Sequence, residues 1–155
     1  MGINPQDLSA LGFAALINIL ILVFFCKSLI KTLSYIQPGN KALSASTIWF
    51  ILVPGINLIV NFIVVFGMSK SIAKELESRD FEAIKRPTFD YGILYAILSL
   101  GPLVALFPIP EEYTVAVAVI SFSQIFFFVQ YWMKVNWYKA VLQNDDESAA
   151  SNNEE

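Results

Sequence analysis

The sequence predicts an all-α fold: a polytopic membrane domain of four transmembrane helices arranged as two antiparallel hairpins. Three observations carry that prediction. Hydrophobic residues make up 56% of the 155, and the mean hydropathy is +0.60. Charged residues make up 15%, against about 25% in an ordinary soluble domain, and they are gathered into short blocks. Between the blocks lie uncharged runs long enough to cross a hydrocarbon core of roughly 30 Å at about 1.5 Å per residue.

The first span is expected at about residues 8–26. Asn4 can cap its start, Pro5 suits the first helical position, and Asp7 meets the positive end of the helix. No Lys or Arg precedes the apolar run, and Lys27 and Lys31 follow it; these flanks read as a retained span rather than a cleaved leader. Asn18 is the strongly polar residue at mid-depth. The segment 35–41 then reads as a tight connection, with Pro38-Gly39 suited to a type II turn.

The second span is expected at 47–68, inside a stretch with no charge between Lys41 and Lys70. Ser44, Ser46 or Thr47 can cap it, and Trp49 marks a membrane interface. Pro54 removes one backbone hydrogen bond, so the helix is expected to kink there. Residues 50, 54, 57, 61 and 68 share one helical face, which therefore carries the proline and both asparagines, Asn57 and Asn61. A carboxamide turned to lipid leaves its hydrogen bonds unmet, so this face is expected to point into a bundle or a wet cavity. Two roles stand open for the asparagines: interhelical hydrogen bonding, or the lining of a small polar path or pocket.

The segment 70–90 is polar, with five basic and five acidic residues. The stripe Met68, Ile72 and Leu76 carries the second helix beyond the apolar run. Glu75/Arg79 and Glu82/Arg86 have the spacing and polarity of helical ion pairs, and Pro87 ends any helix. The third span is expected at 91–109, capped by Thr88 or Asp90. Gly92, Tyr95, Ser99 and Pro102 share a small and polar face suited to close packing, and Gly101-Pro102 predicts a second kink. The fourth span is expected at 113–133, with Glu111 and Glu112 in its first turn. Ser121 and Gln124 share one face, and Tyr131, Trp132, Trp137 and Tyr138 form an aromatic belt at its exit. The helix is expected to run on to about Leu142. Residues 144–155, with five acids and no base, are expected to be disordered.

The order Pro38-Gly39-Asn40-Lys41, a polar turn, Trp49, Pro54-x-x-Asn57 and Phe62-Ile63-Val64-Val65 resembles a group of small bacterial inner-membrane proteins with four predicted spans and no assigned activity. The resemblance covers residues 37–78. It implies a bacterial inner-membrane location and supplies no chemistry. Residues 62–76 and 127–141 also echo one another through Val64/Val129, Met68/Met133 and Lys74/Lys139, the pattern of a parallel repeat.

Composition excludes several function classes. The chain has no histidine and one cysteine, Cys26, so zinc, copper or haem sites lack ligands and no cofactor is expected. No basic stripe marks a nucleic-acid surface. No Gly-rich phosphate loop or nucleophile–base pair is present, and no acid sits within a span to relay protons. Asn18, Asn57, Asn61, Ser99, Ser121 and Gln124 are the candidate intramembrane polar network, with Pro54 and Pro102 as helix kinks. The residues therefore point to a non-enzymatic integral membrane protein, a structural, assembly or interaction subunit, with the bilayer and either another membrane protein or a second copy as partners. The alternative is a small oligomeric channel or transporter using the polar faces of spans 2–4. Four spans place both termini and segment 70–90 on one side. That side holds seven Lys/Arg against three in the first loop, which predicts cytoplasmic termini.

Overall fold

In a computed structural model that describes residues 5–82, 85–101, 103 and 110–152 (side chains 5–8 and 11 excepted), the chain is helical, with no strand among the described residues. The helices are α1 Pro5–Ser34, α2 Ala45–Trp49, α3 Asn57–Ser78, α4 Phe89–Leu98 and α5 Thr114–Asn152. Three helical stretches are long and apolar enough to cross a membrane: Gly12–Ser34, Asn57–Ser78 and Glu111–Asn152. The fourth apolar helix, α4, has ten residues.

The expected second span is two pieces. Ser44 caps α2 through the Thr47 N–H, and after five residues the chain tightens into a 3-10 turn at Phe50–Leu52. Val53, as the residue before a proline, is extended. Gly55 follows with φ +81°, a conformation open to glycine at little cost. Pro54 and Gly55 therefore break the helix rather than kink it, and α3 begins afresh at Asn57. The first connection also departs from expectation: Pro38–Asn40 is a 3-10 turn, with Asn40 N–H donating to Gln37 O at 2.9 Å.

The break changes the topology. Ser28 meets Asn136, Tyr35 O meets Arg79, and Arg79 meets Asp145 and Asp146. Asn18, Asn61 and Gln124 line one cavity. These contacts rise in step along α1, α3 and α5, so the three long helices run in the same direction. Residues 42–53 return beside Gly67 and Cys26, and α4 returns against α3 and α5. Two antiparallel hairpins are thus corrected to three co-directional helices with two shorter returns. The termini of α1 and α5 lie at opposite ends, not on one side.

Other boundaries shift for local reasons. α3 ends at Ser78 because Asp80 takes φ +57°, while Phe81 N–H reaches Leu76 O and Asp80 N–H reaches Glu77 O, a two-bond cap with Leu76 and Phe81 as its apolar pair. The helix stops before Glu82, and no Glu82–Arg86 ion pair is present among the described residues. α4 ends at Leu98, far short of residue 109; Pro102 and residues 104–109 lie outside the described residues. α5 does not stop near Leu142 but continues to Asn152, so residues 144–152 of the tail are helical, and Arg79 ties Asp145 and Asp146 to the bundle.

The core occupies the Arg79 half, where Phe25, Leu29, Leu33, Ile48, Val64, Met68, Ile72, Tyr131, Val135 and Leu142 are buried. In the Pro54 half, α1 and α5 turn Phe13, Leu16, Leu20, Phe122 and Phe126 outward. All ten Lys and Arg lie in the Arg79 half. Gly92 permits a close approach of α4 there. A Cβ on it would stand 2.7 Å from Val65 Cγ1 and 2.9 Å from the Tyr131 ring.

Candidate functional site

The cavity near the Pro54 end is built by four segments. α1 supplies Asn18, Ile21 and Leu22; the broken segment and α3 supply Pro54, Gly55, Asn57, Leu58 and Asn61; α4 and its continuation supply Tyr95, Ser99 and Leu103; α5 supplies Ser121, Gln124, Ile125 and Phe128. Its volume is about 680 Å³. All six polar residues singled out in the sequence line it, although they come from four different segments. Pro54 joins them at the rim.

Each reaches the cavity for a local reason. Asn57 and Asn61 are one turn apart on α3, and the Gly55 turn sets the register of that helix. Asn61 is buried; its Nδ2 donates to Ser99 Oγ at 3.3 Å, and Tyr95 Oη donates to its Oδ1 at a long 3.4 Å. Ser99 donates in turn to Ala96 O at 2.7 Å. Ser121 donates to Val117 O one turn back in α5 at 2.9 Å, leaving an oxygen lone pair to face the cavity. Asn18, Asn57 and Gln124 make no side-chain hydrogen bond to a described residue. Three carboxamides therefore converge on one space with their hydrogen-bonding capacity unspent.

No Lys, Arg, Asp or Glu is among the described residues that line this cavity. Without a fixed charge among these residues, a neutral solute sheds less hydration than an ion on entering it. The remaining lining is aliphatic and aromatic. An apolar chamber with a few convergent polar groups is the ordinary composition of a small-molecule site, and the volume falls within the usual range of roughly 300–1,000 Å³. Among the described residues, no group of three or more His, Cys, Asp or Glu is placed to hold a metal ion.

A second polar centre, at the opposite end, was only half legible. The Glu75/Arg79 spacing predicts a pair, and Arg79 Nε donates to Glu75 Oε1 at 2.9 Å. Glu75 is nevertheless fully buried, with Oε2 accepting from Gln37 N–H at 2.9 Å and Asn40 Nδ2 at 2.8 Å. Arg79 Nη1 donates to Asp145, Asp146 and Leu142 O, and Nη2 donates to Tyr35 O. Burial alone would lower the guanidinium pKa, but hydrogen bonds to Asp145, Glu75 and Asp146 outweigh it and the net direction is upward. No sequence period links residues 37, 40, 75, 79 and 145; the crowd of donors around Asn40 and the acids after Leu142 were the available signal. This centre joins three segments through donors and acceptors spent on one another, which is the geometry of a structural clamp.

No family model, curated protein or solved structure matches the chain, so the chemistry of the cavity is read from its own residues.

Proposed function

We propose that the chain is a non-catalytic, multi-pass protein of the bacterial inner membrane whose cavity receives an uncharged amphipathic molecule, as a membrane-embedded binding protein or carrier. The convergence of six uncharged polar residues on one largely apolar cavity carries this reading. The amides and hydroxyls would take the polar end of the ligand, and Ile21, Leu22, Leu58, Ile125 and Phe128 its apolar body. The helix break at Pro54-Gly55 leaves irregular backbone beside the cavity, an arrangement tolerated at membrane depth where such backbone lines a cavity.

Membrane placement draws support from the three long apolar helices and the outward apolar faces of α1 and α5. Orientation follows from charge. Ten Lys/Arg in the Arg79 half, against none at the Pro54 end, favour a cytoplasmic Arg79 end under the positive-inside rule. The amino terminus is then outside and the carboxyl terminus inside.

The test uses the full chain in phosphatidylcholine nanodiscs with a neutral probe, a monoacylglycerol carrying a fluorescent acyl chain. The wild type is expected to bind it saturably. The Asn57→Leu/Asn61→Leu variant, with unchanged helical content, is expected to bind about tenfold more weakly, the equivalent of one or two lost hydrogen bonds. Equal, non-saturable partition into both discs would remove the binding function. It would favour a structural or assembly subunit, the reading that the broad apolar faces of α1 and α5 support as partner surfaces.

A further inference from the structure

A second groove lies on the opposite side of α3 from the cavity, and neither the cavity nor the clamp uses it. Phe62, Ile63, Phe66, Lys70, Lys74 and Glu77 form its α3 wall; Lys85, Arg86 and Phe89 face them from the start of the α4 return. Its volume is about 770 Å³. The groove has a polarity along its length. Its apolar part, Phe62, Ile63, Phe66 and Phe89, lies toward the middle of α3, and its cations lie toward the Arg79 end. Four cations face one acid, Glu77, a local excess of three positive charges by subtraction. Lys70, Lys74, Lys85 and Arg86 make no ion pair with a described residue. Phe66 and Phe89 pack edge to face at 5.1 Å, and the Arg86 guanidinium sits over the Phe89 ring at 5.2 Å, which fixes one cation at the mouth.

We infer that this groove is a binding site for an anionic phospholipid, with the phosphate held by Lys70, Lys74, Lys85 and Arg86 and an acyl chain lying along Phe62, Ile63 and Phe66. The assignment rests on the membrane placement of α3 and is independent of what fills the cavity. Solvated cations alone would need no apolar floor, and a free phosphate would leave that floor uncovered. A lipid satisfies both, because its charge and its chain are ordered along the same axis as those of the groove. Basic pockets beside a membrane-spanning helix at the cytoplasmic surface recognise anionic headgroups by this chemistry.

Native mass spectrometry of the full chain, delipidated in neutral detergent and titrated with phosphatidylglycerol or phosphatidylcholine, tests it. Wild type is expected to retain phosphatidylglycerol in preference to phosphatidylcholine. The pairs Lys70→Gln/Lys74→Gln and Lys85→Gln/Arg86→Gln are each expected to weaken retention by about tenfold or more. Lys70→Arg/Lys74→Arg is expected to keep it. Lys27→Gln/Lys31→Gln removes the same charge from the same half on α1 and is expected to leave retention unchanged. An equal loss in that control would mean diffuse attraction, and displacement of the lipid by millimolar glycerol phosphate would mean a headgroup site without a chain. Either result overturns the assignment. Loss of probe binding in the Asn57/Asn61 variant bears on the cavity alone.

Discussion

Glu75 is fully buried, yet Gln37, Asn40 and Arg79 all donate to it, and Arg79 passes the connection on to Tyr35, Leu142, Asp145 and Asp146. Removing one partner of a buried pair leaves an uncompensated charge, so Arg79→Leu should lower stability by about 3–5 kcal/mol. Asp145→Asn/Asp146→Asn touches the half-exposed rim of the same cluster and should cost under about 1 kcal/mol. Denaturant unfolding followed by circular dichroism in detergent micelles separates the two; similar losses for both variants would show that the tail, rather than Glu75, needs Arg79. The sequence held the Glu75–Arg79 spacing, because four residues is one helical turn. It offered the tail acids as charges but did not pair them or Gln37 with this centre, because those meet only when three chain segments end at one level. At the cavity the residue scale was more legible. Uncharged polar side chains in apolar runs are expensive when turned to lipid, and that rule selects Asn18, Asn57, Asn61, Ser99, Ser121 and Gln124, although it applies equally to Ser123 and Gln130, which do not line the cavity.

Helices differ in how far their ends could be read. Ser44 as a cap, the long α1 and the extension of α3 beyond its apolar run follow from local rules. The α2–α3 break also has a local signal, the extended residue before Pro54 followed by Gly55, but the uncharged run from Ala42 to Ser69 outweighs it when a span is read by length. α4 is held by close approach. Gly92 lets it settle against Val65 and Tyr131, and Tyr95 stacks on Tyr131 with ring centroids 6.2 Å apart. A methyl at Gly92 must move the Val65 side chain and the Tyr131 ring, so Gly92→Ala should destabilise by about 1–3 kcal/mol. Gly101→Ala, whose Cβ would meet Ile120 at an ordinary 3.7 Å, should be close to neutral. A thermal melt of the two variants in detergent checks the contrast, and equal melting temperatures would refute the close-packing account. The echo between residues 62–76 and 127–141 places equivalent residues at similar levels of α3 and α5, but Met68 is buried and Met133 is exposed, so the likeness does not extend to packing.

For the molecule as a whole, direction is the decisive property. With α1, α3 and α5 co-directional, the start of α1 and the end of α5 lie at opposite ends and every Lys and Arg falls in one half. On a Cys26→Ala background, Glu112→Cys should react with an impermeant thiol reagent in intact cells and Asp146→Cys should react only after lysis. Reaction of both from outside would reject the arrangement. The sequence by itself determined the helical class, the apolar character, and which polar residues need an interior. These depend on composition and on short-range spacing, and both are written along the chain. The tertiary structure decided the rest: that Pro54-Gly55 reverses the chain, that the long helices run in one direction, that six polar residues from four segments share one cavity, and that the acidic tail is held by Arg79. Each of these depends on contacts between residues far apart in sequence. Hydrophobicity fixes that an apolar run must be buried or face lipid, but it does not encode the direction in which the run crosses or the neighbours it meets.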